Sequence, residues 1–130
     1  MAIPVTGLYA GLFALMLVTL SMRISRMRES KGIELLTGDD AEMARAVRAH
    51  GNFIEYVPLL LVLMAAMELN GIAPYVIHLF GTLMLVSRIA HVSALRRSSK
   101  MGKLRVMAML GTFAALILAG LTAISSIFQM

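Results

Sequence analysis

The chain contains no cysteine, and this absence excludes several kinds of chemistry. There is no disulfide framework, no thiolate metal site and no cysteine nucleophile, so any sulfur chemistry needs a thiol brought in by a substrate. Charge is also scarce. Only 15% of the 130 residues are Asp, Glu, Lys or Arg, whereas 59% are hydrophobic, and this balance excludes intrinsic disorder.

Charged side chains are missing from three long stretches of the chain. They are residues 1–22, Ile72–Ser87 and Val106–Gln129. Each is close to the length that crosses the hydrocarbon core of a membrane. A chain of this size has too much surface to hide so many apolar side chains from water. We therefore predict an all-α integral membrane protein whose solvent is the lipid bilayer.

Turn and cap signals divide the chain into four helices in a single domain, residues 1–130. We predict helices at residues 1–22, 41–69, 72–95 and from about 105 to 129. The first has no Lys or Arg before its apolar run, which argues against a cleaved signal peptide. Residues 23–43 are interpreted as a polar connection, and Asp39 with Glu42 resembles a capping box. Asn70-Gly71 is a turn signal, so helices two and three should be antiparallel neighbours in a four-helix bundle.

The basic residues are confined to two segments. All 12 Lys and Arg lie in residues 23–48 or 88–105. The positive-inside tendency then predicts that both basic segments face the cytoplasm and that both termini face outward. Because topology and anionic headgroups account for the net charge of +5, nucleic acid is not expected as a partner.

Small residues recur at a spacing of four in two helices. Gly7 and Gly11 form one such pair, and Gly111, Ala115 and Ala119 continue the spacing in helix four. This spacing permits close contact between helices. It serves either packing within the chain or an interface between copies.

Helix two carries a stripe of ionisable and polar residues. At the helical period, Arg45, Arg48, Asn52 and Glu55 fall within an arc of about 80°, whereas His50 points elsewhere. Glu55 lies about 20 Å along the axis, well toward the membrane middle. A carboxylate buried at that depth needs a partner.

Three further residues converge on the same end of the bundle. Helix three supplies Arg88 and His91 on one face, and helix four begins near Arg105. Arg48, Arg88 and Arg105 are predicted to be buried or nearly buried, and together they predict a pocket for a small molecule that bears carboxylates and an ammonium. The arginines would bind the carboxylates, and Glu55 would bind the ammonium. The alternative is that Glu55 only neutralises itself against Arg48 or Arg88. The spacing of the histidines does not favour a metal site.

The segment from Arg48 to Pro58, RAHGNFIEYVP, resembles the signature of the MAPEG family, the membrane-associated proteins in eicosanoid and glutathione metabolism. The signature has the pattern Arg-Ala-x-x-Asn-x-x-Glu-Tyr-x-Pro. Similarity extends over essentially the whole chain, through Glu68-x-Asn70-Gly71 and Arg88-x-x-His91 to the arginine that opens helix four.

The resemblance implies a homotrimer that binds glutathione between subunits near the cytoplasmic side. Carried over residue by residue, the glutathione contacts would be Arg48, Asn52, Glu55, Tyr56, Arg88 and His91. Arg105 would match the arginine that stabilises the glutathione thiolate, although Lys103 competes for that alignment. Arg26 or Arg28 would match a further contact. Members that handle eicosanoids have a tyrosine where this chain has Leu95.

The resemblance and the residues together lead to a functional expectation. We expect a glutathione-dependent transferase or peroxidase of the bacterial inner membrane that acts on a lipophilic small molecule, with Arg105 as its catalytic residue. The alternative is a non-catalytic lipid- or glutathione-binding membrane protein. A small drug/proton exchanger fits less well, because such proteins use an acidic residue in helix one and residues 1–22 have none.

Overall fold

Four long helices make up nearly all of the computed structural model, which describes residues 2–129. They are α1 (Pro4–Lys31), α2 (Ala41–Leu69), α3 (Pro74–Arg97) and α4 (Lys103–Ser126), followed by a short 3-10 helix, Ile127–Gln129. Within residues 2–129 there is no strand. Each of the four helices is long and apolar enough to cross a membrane. The predicted all-α, four-helix architecture is confirmed.

Helix α1 is longer than the charge pattern predicted. It continues to Lys31, so the interpretation of residues 23–31 as a solvated connection was wrong. The helix ends where Gly32 adopts a left-handed conformation, φ 65°, and donates its backbone N–H to the carbonyl of Arg28. Glycine adopts this conformation easily because it has no Cβ atom. Lys and Arg are good helix formers, and their positive charge is favourable in the last turn of a helix, which explains why residues 23–31 continue α1. The true connection is residues 32–40.

The N-terminus of α2 is capped one residue later than predicted. Asp40, rather than Asp39, accepts a hydrogen bond from the backbone N–H of Met43 at 2.7 Å. The Lys31 ammonium lies 2.7 Å from the Asp40 carboxylate and 3.2 Å from that of Glu42, which ties the end of α1 to the start of α2. The hydrogen bond from Lys31, followed by that from Met43, holds the pKa of Asp40 below its usual value.

The apolar interior lies between all four helices. Its fully buried side chains come chiefly from α2 and α3, with Phe13 of α1 packed edge-on against Phe53. Helix α4 contributes small residues, Ala115 and Ala119, and Gly111 sits directly against the Ser87 hydroxyl of α3. The small-residue pattern of α4 therefore serves packing within the chain.

The glycine pair of α1 behaves differently from the pattern of α4. Neither Gly7 nor Gly11 has a neighbouring atom within 4 Å of the position that a Cβ would occupy. Both residues are exposed, so they face away from the rest of the chain. Packing within the chain therefore does not account for them.

The two ends of the bundle differ in chemistry. At one end α1 and α3 terminate and α2 and α4 begin, and all 12 Lys and Arg lie in or beside these segments; we call this the basic end. At the opposite end, the Glu68 carboxylate accepts hydrogen bonds from the backbone N–H groups of Val5 and Thr6 and from the Thr6 hydroxyl, at 2.7–2.9 Å. This carboxylate pairs with two backbone N–H groups of the first turn of α1 that have no partner within the helix.

Candidate functional site

The predicted site residues all lie toward the basic end, but they form two groups. One group surrounds Arg88 in the interior of the bundle. The other contains Arg48, Glu55 and Arg105 near the surface. The expected convergence into one buried pocket is therefore only partly correct.

Arg88 is the centre of the interior group. Only 1% of it is exposed, and its guanidinium donates hydrogen bonds to the Asn52 side-chain oxygen of α2 and to the Thr112 hydroxyl of α4. Its Cζ lies 5.8 Å from the centre of the Tyr56 ring, within cation–π range. Its Nε is buried without a hydrogen-bond partner among the described residues. The cation is thus held by neutral oxygens and an aromatic face.

His91 and Tyr56 complete the interior group. His91 is buried one turn beyond Arg88 on α3. Tyr56 is half-buried, and its ring packs edge-on against Phe113 of α4 at 5.9 Å between centroids. His91 therefore lies on the same helix as Arg88, and Tyr56 approaches the guanidinium from α2.

The Glu55 carboxylate pairs with Arg48 rather than with Arg88. Two parallel hydrogen bonds of 3.0 and 3.1 Å join the guanidinium to the carboxylate, two helical turns away. The side chains are 52% and 44% exposed, so neither charge is buried in the chain. The expectation that both would be buried was wrong, because the polar stripe of α2 turns outward at these two positions. The alternative in which Glu55 pairs with Arg48 describes the geometry of the single chain.

Arg105 lines a small cavity beside this ion pair. The cavity has a volume of about 180 Å³ and is lined by Ala44, Arg45, Arg48, Leu95, Ser99 and Arg105. Arg105 donates to the backbone carbonyl of Ser99 at 3.1 Å, and Arg45 donates to the hydroxyl of the same residue at 3.3 Å. The Nε atoms of Arg45 and Arg105 are buried with no partner in the described part of the chain. Three guanidinium groups and no carboxylate line this space.

Two residues of the site were absent from the set predicted from the sequence. Arg45 shares the polar arc of α2 with Arg48, so the helical period was a signal for it. Thr112 gave no signal, because a threonine inside an apolar helix usually bonds its own backbone; it does so here, to Ala108 at 2.9 Å, and also accepts from Arg88. His50 bonds to Ser21 of α1, away from the site as predicted.

The described residues hold no group of three or more His, Cys, Asp or Glu side chains that could bind a metal ion. Apart from the Glu55 carboxylate and the His91 imidazole, the site offers arginine, amide, hydroxyl and phenol groups. Such donors suit the carboxylates of an organic anion.

Comparison with known proteins decides the family. Residues 6–125 match the MAPEG family, a span that covers most of the chain. The chain belongs to the MAPEG family. The signature residues of this MAPEG protein, Arg48, Asn52, Glu55 and Tyr56, are those just described on α2, and all face or flank the two groups at the basic end.

Two relatives of this MAPEG protein are the inner membrane proteins YecN of Escherichia coli K12 and of Escherichia coli O6:H1. Each is 38% identical to this chain over 87 residues. The aligned part covers 67% of this chain and 66% of each relative, slightly less than two thirds of the relative's length. The four apolar helices and the family membership together make this an integral membrane protein.

Proposed function

We propose that this protein is a glutathione-dependent transferase or peroxidase of the inner membrane that acts on lipophilic electrophiles. The observation that carries the proposal is the cavity lined by Arg45, Arg48 and Arg105. A tripeptide with two carboxylates, an ammonium and a thiol matches this set of groups. The family membership supports the same ligand.

The residues fit glutathione in charge and hydrogen-bonding capacity. Guanidinium groups bind carboxylates through paired N–H donors, and Arg45 and Arg48 line the cavity beside Arg105. Glu55 offers the carboxylate that an ammonium requires, once its pairing with Arg48 is shared with the ligand. Arg88 adds a positive charge that no carboxylate of the described chain neutralises.

Arg105 would act on the sulfur. A free thiol has a pKa near 8.5, so only a few per cent is thiolate at pH 7, and each unit by which the pKa falls raises the thiolate fraction about tenfold. A guanidinium within a few Å of the sulfur, in a poorly hydrated cavity, favours the charged form.

The thiolate would then react with a partner that arrives through the bilayer. In conjugation, a sulfur–carbon bond forms and the electrophile loses a leaving group or gains a proton. In peroxide reduction, two glutathione molecules are oxidised to the disulfide while the peroxide is reduced to an alcohol and water. Both reactions use the thiol of the substrate, which suits a chain without cysteine.

We further propose that the working unit is a homotrimer. The 180 Å³ cavity is smaller than the roughly 300–1,000 Å³ of typical ligand pockets, and the Arg48–Glu55 pair beside it is half-exposed. A second copy of the chain would complete the wall of the glutathione site. The family resemblance suggests that this copy contributes Arg26 or Arg28, at the end of its α1. The positive-inside tendency supports a cytoplasmic location for the basic end, and with it for the site.

A second candidate is a glutathione-binding membrane protein without catalysis. Leu95 favours it, because this buried apolar side chain lines the cavity where eicosanoid-handling relatives have a tyrosine. A binding protein would keep the arginines and lose the reaction.

Calorimetric titration of glutathione into the detergent-solubilised protein tests both candidates. We expect saturable binding that is weakened by Arg48→Ala and unchanged by Arg97→Ala, a matched variant outside the cavity. Absence of binding would remove both candidates. Binding without turnover of an activated aryl chloride or a lipid hydroperoxide would select the second.

A further inference from the structure

A second pair of cavities opens on another face of the bundle, between α1 and α3. The ring of Tyr9 lies against Gly81, so close that a Cβ on the glycine would come within 2.5 Å of it. Beyond this contact, toward the basic end, two cavities of about 400 and 440 Å³ are lined by residues of both helices. Neither contains a residue of the cavity lined by Arg45, Arg48 and Arg105. Arg26 lines the cationic one, so a lipid bound there leaves Arg28 as the residue of α1 that is offered to glutathione.

The cavity nearer the membrane middle is apolar. Its walls include Leu12, Met16 and Leu20 from α1 and Leu85, Ile89 and Val92 from α3. From residue 12 to residue 20 the helix rises about 12 Å, which is slightly less than half of a hydrocarbon core about 30 Å thick. An acyl chain of one leaflet has the length and polarity to occupy this space.

The cavity at the basic end is cationic. It is lined by Thr19, Arg23, Arg26, Met27, Ser30 and Arg96. Arg23 has a partner in Glu42 at 3.6 Å, whereas no carboxylate of residues 2–129 lies within 4.0 Å of Arg26 or Arg96. Two guanidinium groups without a carboxylate partner thus line the space, whereas the hydroxyl groups of Thr19 and Ser30 donate to carbonyls of their own helix. Paired guanidinium groups bind a phosphate group.

The two cavities are adjacent. Thr19 and Arg96 line both, so the cationic space borders the apolar one. On α3, Ile89, Val92 and Arg96 lie on a different face from Arg88, His91 and Leu95 of the candidate site, because the centres of the two sets are separated by roughly 100° at the helical period. The groove is therefore a separate feature of the molecule.

We propose that the groove between α1 and α3 binds one anionic phospholipid, with its phosphate against Arg96 and Arg26 and one acyl chain along Leu12, Leu20 and Ile89. Charge complementarity selects the headgroup, since a zwitterionic lipid would add a second cation beside two unpaired arginines. The apolar section selects a lipid over a small soluble anion, because inorganic phosphate would leave it unfilled. The proposal is independent of the glutathione reaction.

Native mass spectrometry of the detergent-solubilised full chain tests the proposal. The probes are phosphatidylglycerol, phosphatidylcholine of the same acyl chains, and deacylated glycerophosphoglycerol. We expect phosphatidylglycerol to bind about tenfold more tightly than phosphatidylcholine, and the deacylated compound to compete only weakly. If the protein retained both lipids equally, the charge of the headgroup would not select the lipid. If the deacylated compound competed fully, the apolar section of the groove would not contribute to binding, and either result would overturn the proposal.

Two pairs of variants locate the site. Arg96→Ala should lose the preference for phosphatidylglycerol, whereas Arg97→Ala, the next residue and outside both cavities, should keep it. Ile89→Trp should fill the apolar section and displace the lipid, whereas Val86→Trp should not, although both positions are exposed, at 52% and 59%. Equal effects within either pair would contradict the proposal.

Glutathione provides the last arm of the experiment. Excess glutathione should not displace the bound phosphatidylglycerol, because the two ligands occupy different faces. Displacement would assign the cationic cavity to glutathione and overturn the lipid proposal. A failure of glutathione to bind at all would leave the lipid result standing by itself, so the two proposals fail separately.

Discussion

Arg88 of α3 donates a hydrogen bond to the side-chain oxygen of Asn52 on α2, so a buried guanidinium is held by an amide where a carboxylate would be the usual partner. The amide oxygen is oriented toward the guanidinium and stabilises its positive charge, but it does not neutralise that charge. A positive potential therefore remains in the bundle beside the arginine-lined cavity. An anion that enters the site would benefit from it.

Asn52→Asp tests this relationship. A carboxylate at the position of the amide oxygen would pair with Arg88 and cancel its charge, so we expect affinity for glutathione to fall about tenfold while the unfolding temperature does not fall. Titration calorimetry and thermal unfolding in detergent measure the two quantities. Asn70→Asp, at the other end of the bundle where Asn70 bonds to Ser126, is the control and should leave affinity unchanged. Unaltered affinity in Asn52→Asp would show that the charge of Arg88 does not reach the ligand.

Arg105→Ala separates catalysis from binding. Loss of the guanidinium should raise the pKa of the bound thiol by a unit or more, so kcat at pH 7 should fall about tenfold or more while Kd for glutathione changes less than about threefold. Steady-state turnover of an aryl chloride and calorimetry measure these. Lys103→Ala is the matched variant, two residues earlier and exposed. If Lys103→Ala lost turnover and Arg105→Ala kept it, the stabilising role would belong to the lysine.

The close approach of α1 to α3 depends on a glycine. In Gly81→Ala the new methyl group would meet the Tyr9 ring at about 2.5 Å, so the ring or the helices must shift. We expect a loss of about 1–3 kcal/mol in the free energy of unfolding. Gly120→Ala is the control, because nothing lies within 4 Å of its Cβ position, and the same change there should be neutral or slightly stabilising. Chemical denaturation in detergent compares the two. Equal stability would mean that the Tyr9 ring moves aside without cost.

The sequence predicted what depends on a repeating pattern and missed what depends on a single contact. The apolar runs gave the number and order of the helices, and α2 begins and ends as predicted, because charge and turn signals mark those points. The end of α1 was missed because its basic residues resembled a loop while Gly32, the residue that stops the helix, carried no distinctive pattern.

The candidate site follows the same division. The helical period placed Arg45, Arg48, Asn52 and Glu55 together, but it could not distinguish inward from outward side chains within an 80° arc. Only the packed structure separates buried Asn52 from the half-exposed Glu55. Thr112 approaches Arg88 from a helix 24 residues further along the chain, and no local pattern reports such a contact.

The carboxylate of Glu68 should matter for the stability of the bundle. It accepts three hydrogen bonds from the first turn of α1, and Glu68→Ala would leave two backbone N–H groups and a hydroxyl without this partner. We expect a loss of about 1–3 kcal/mol in unfolding free energy, measured by denaturation in detergent. Glu34→Ala, in the exposed connection, is the control and should change stability little. A loss no larger than that of the control would mean that water or headgroups cap α1 equally well.

The ion pair between Lys31 and Asp40 should make stability depend on pH in the acid range. The pKa of Asp40 is lowered in the folded protein, chiefly by the hydrogen bond from Lys31, so its ionised form stabilises the fold above the unfolded value of 3.8. This contribution is lost as the pH falls through the folded pKa, below 3.8. Asp40→Asn keeps a capping oxygen but removes the charge.

We therefore expect the wild type to unfold at a higher temperature than Asp40→Asn at pH 7, and the difference to close as the pH falls below about 3.8. Asp39→Asn removes a neighbouring carboxylate that has no ion pair among the described residues, so it should show no such convergence. If the difference in unfolding temperature between Asp40→Asn and the wild type stayed constant across this pH range, the effect would come from the geometry of the cap and not from the charge of Asp40.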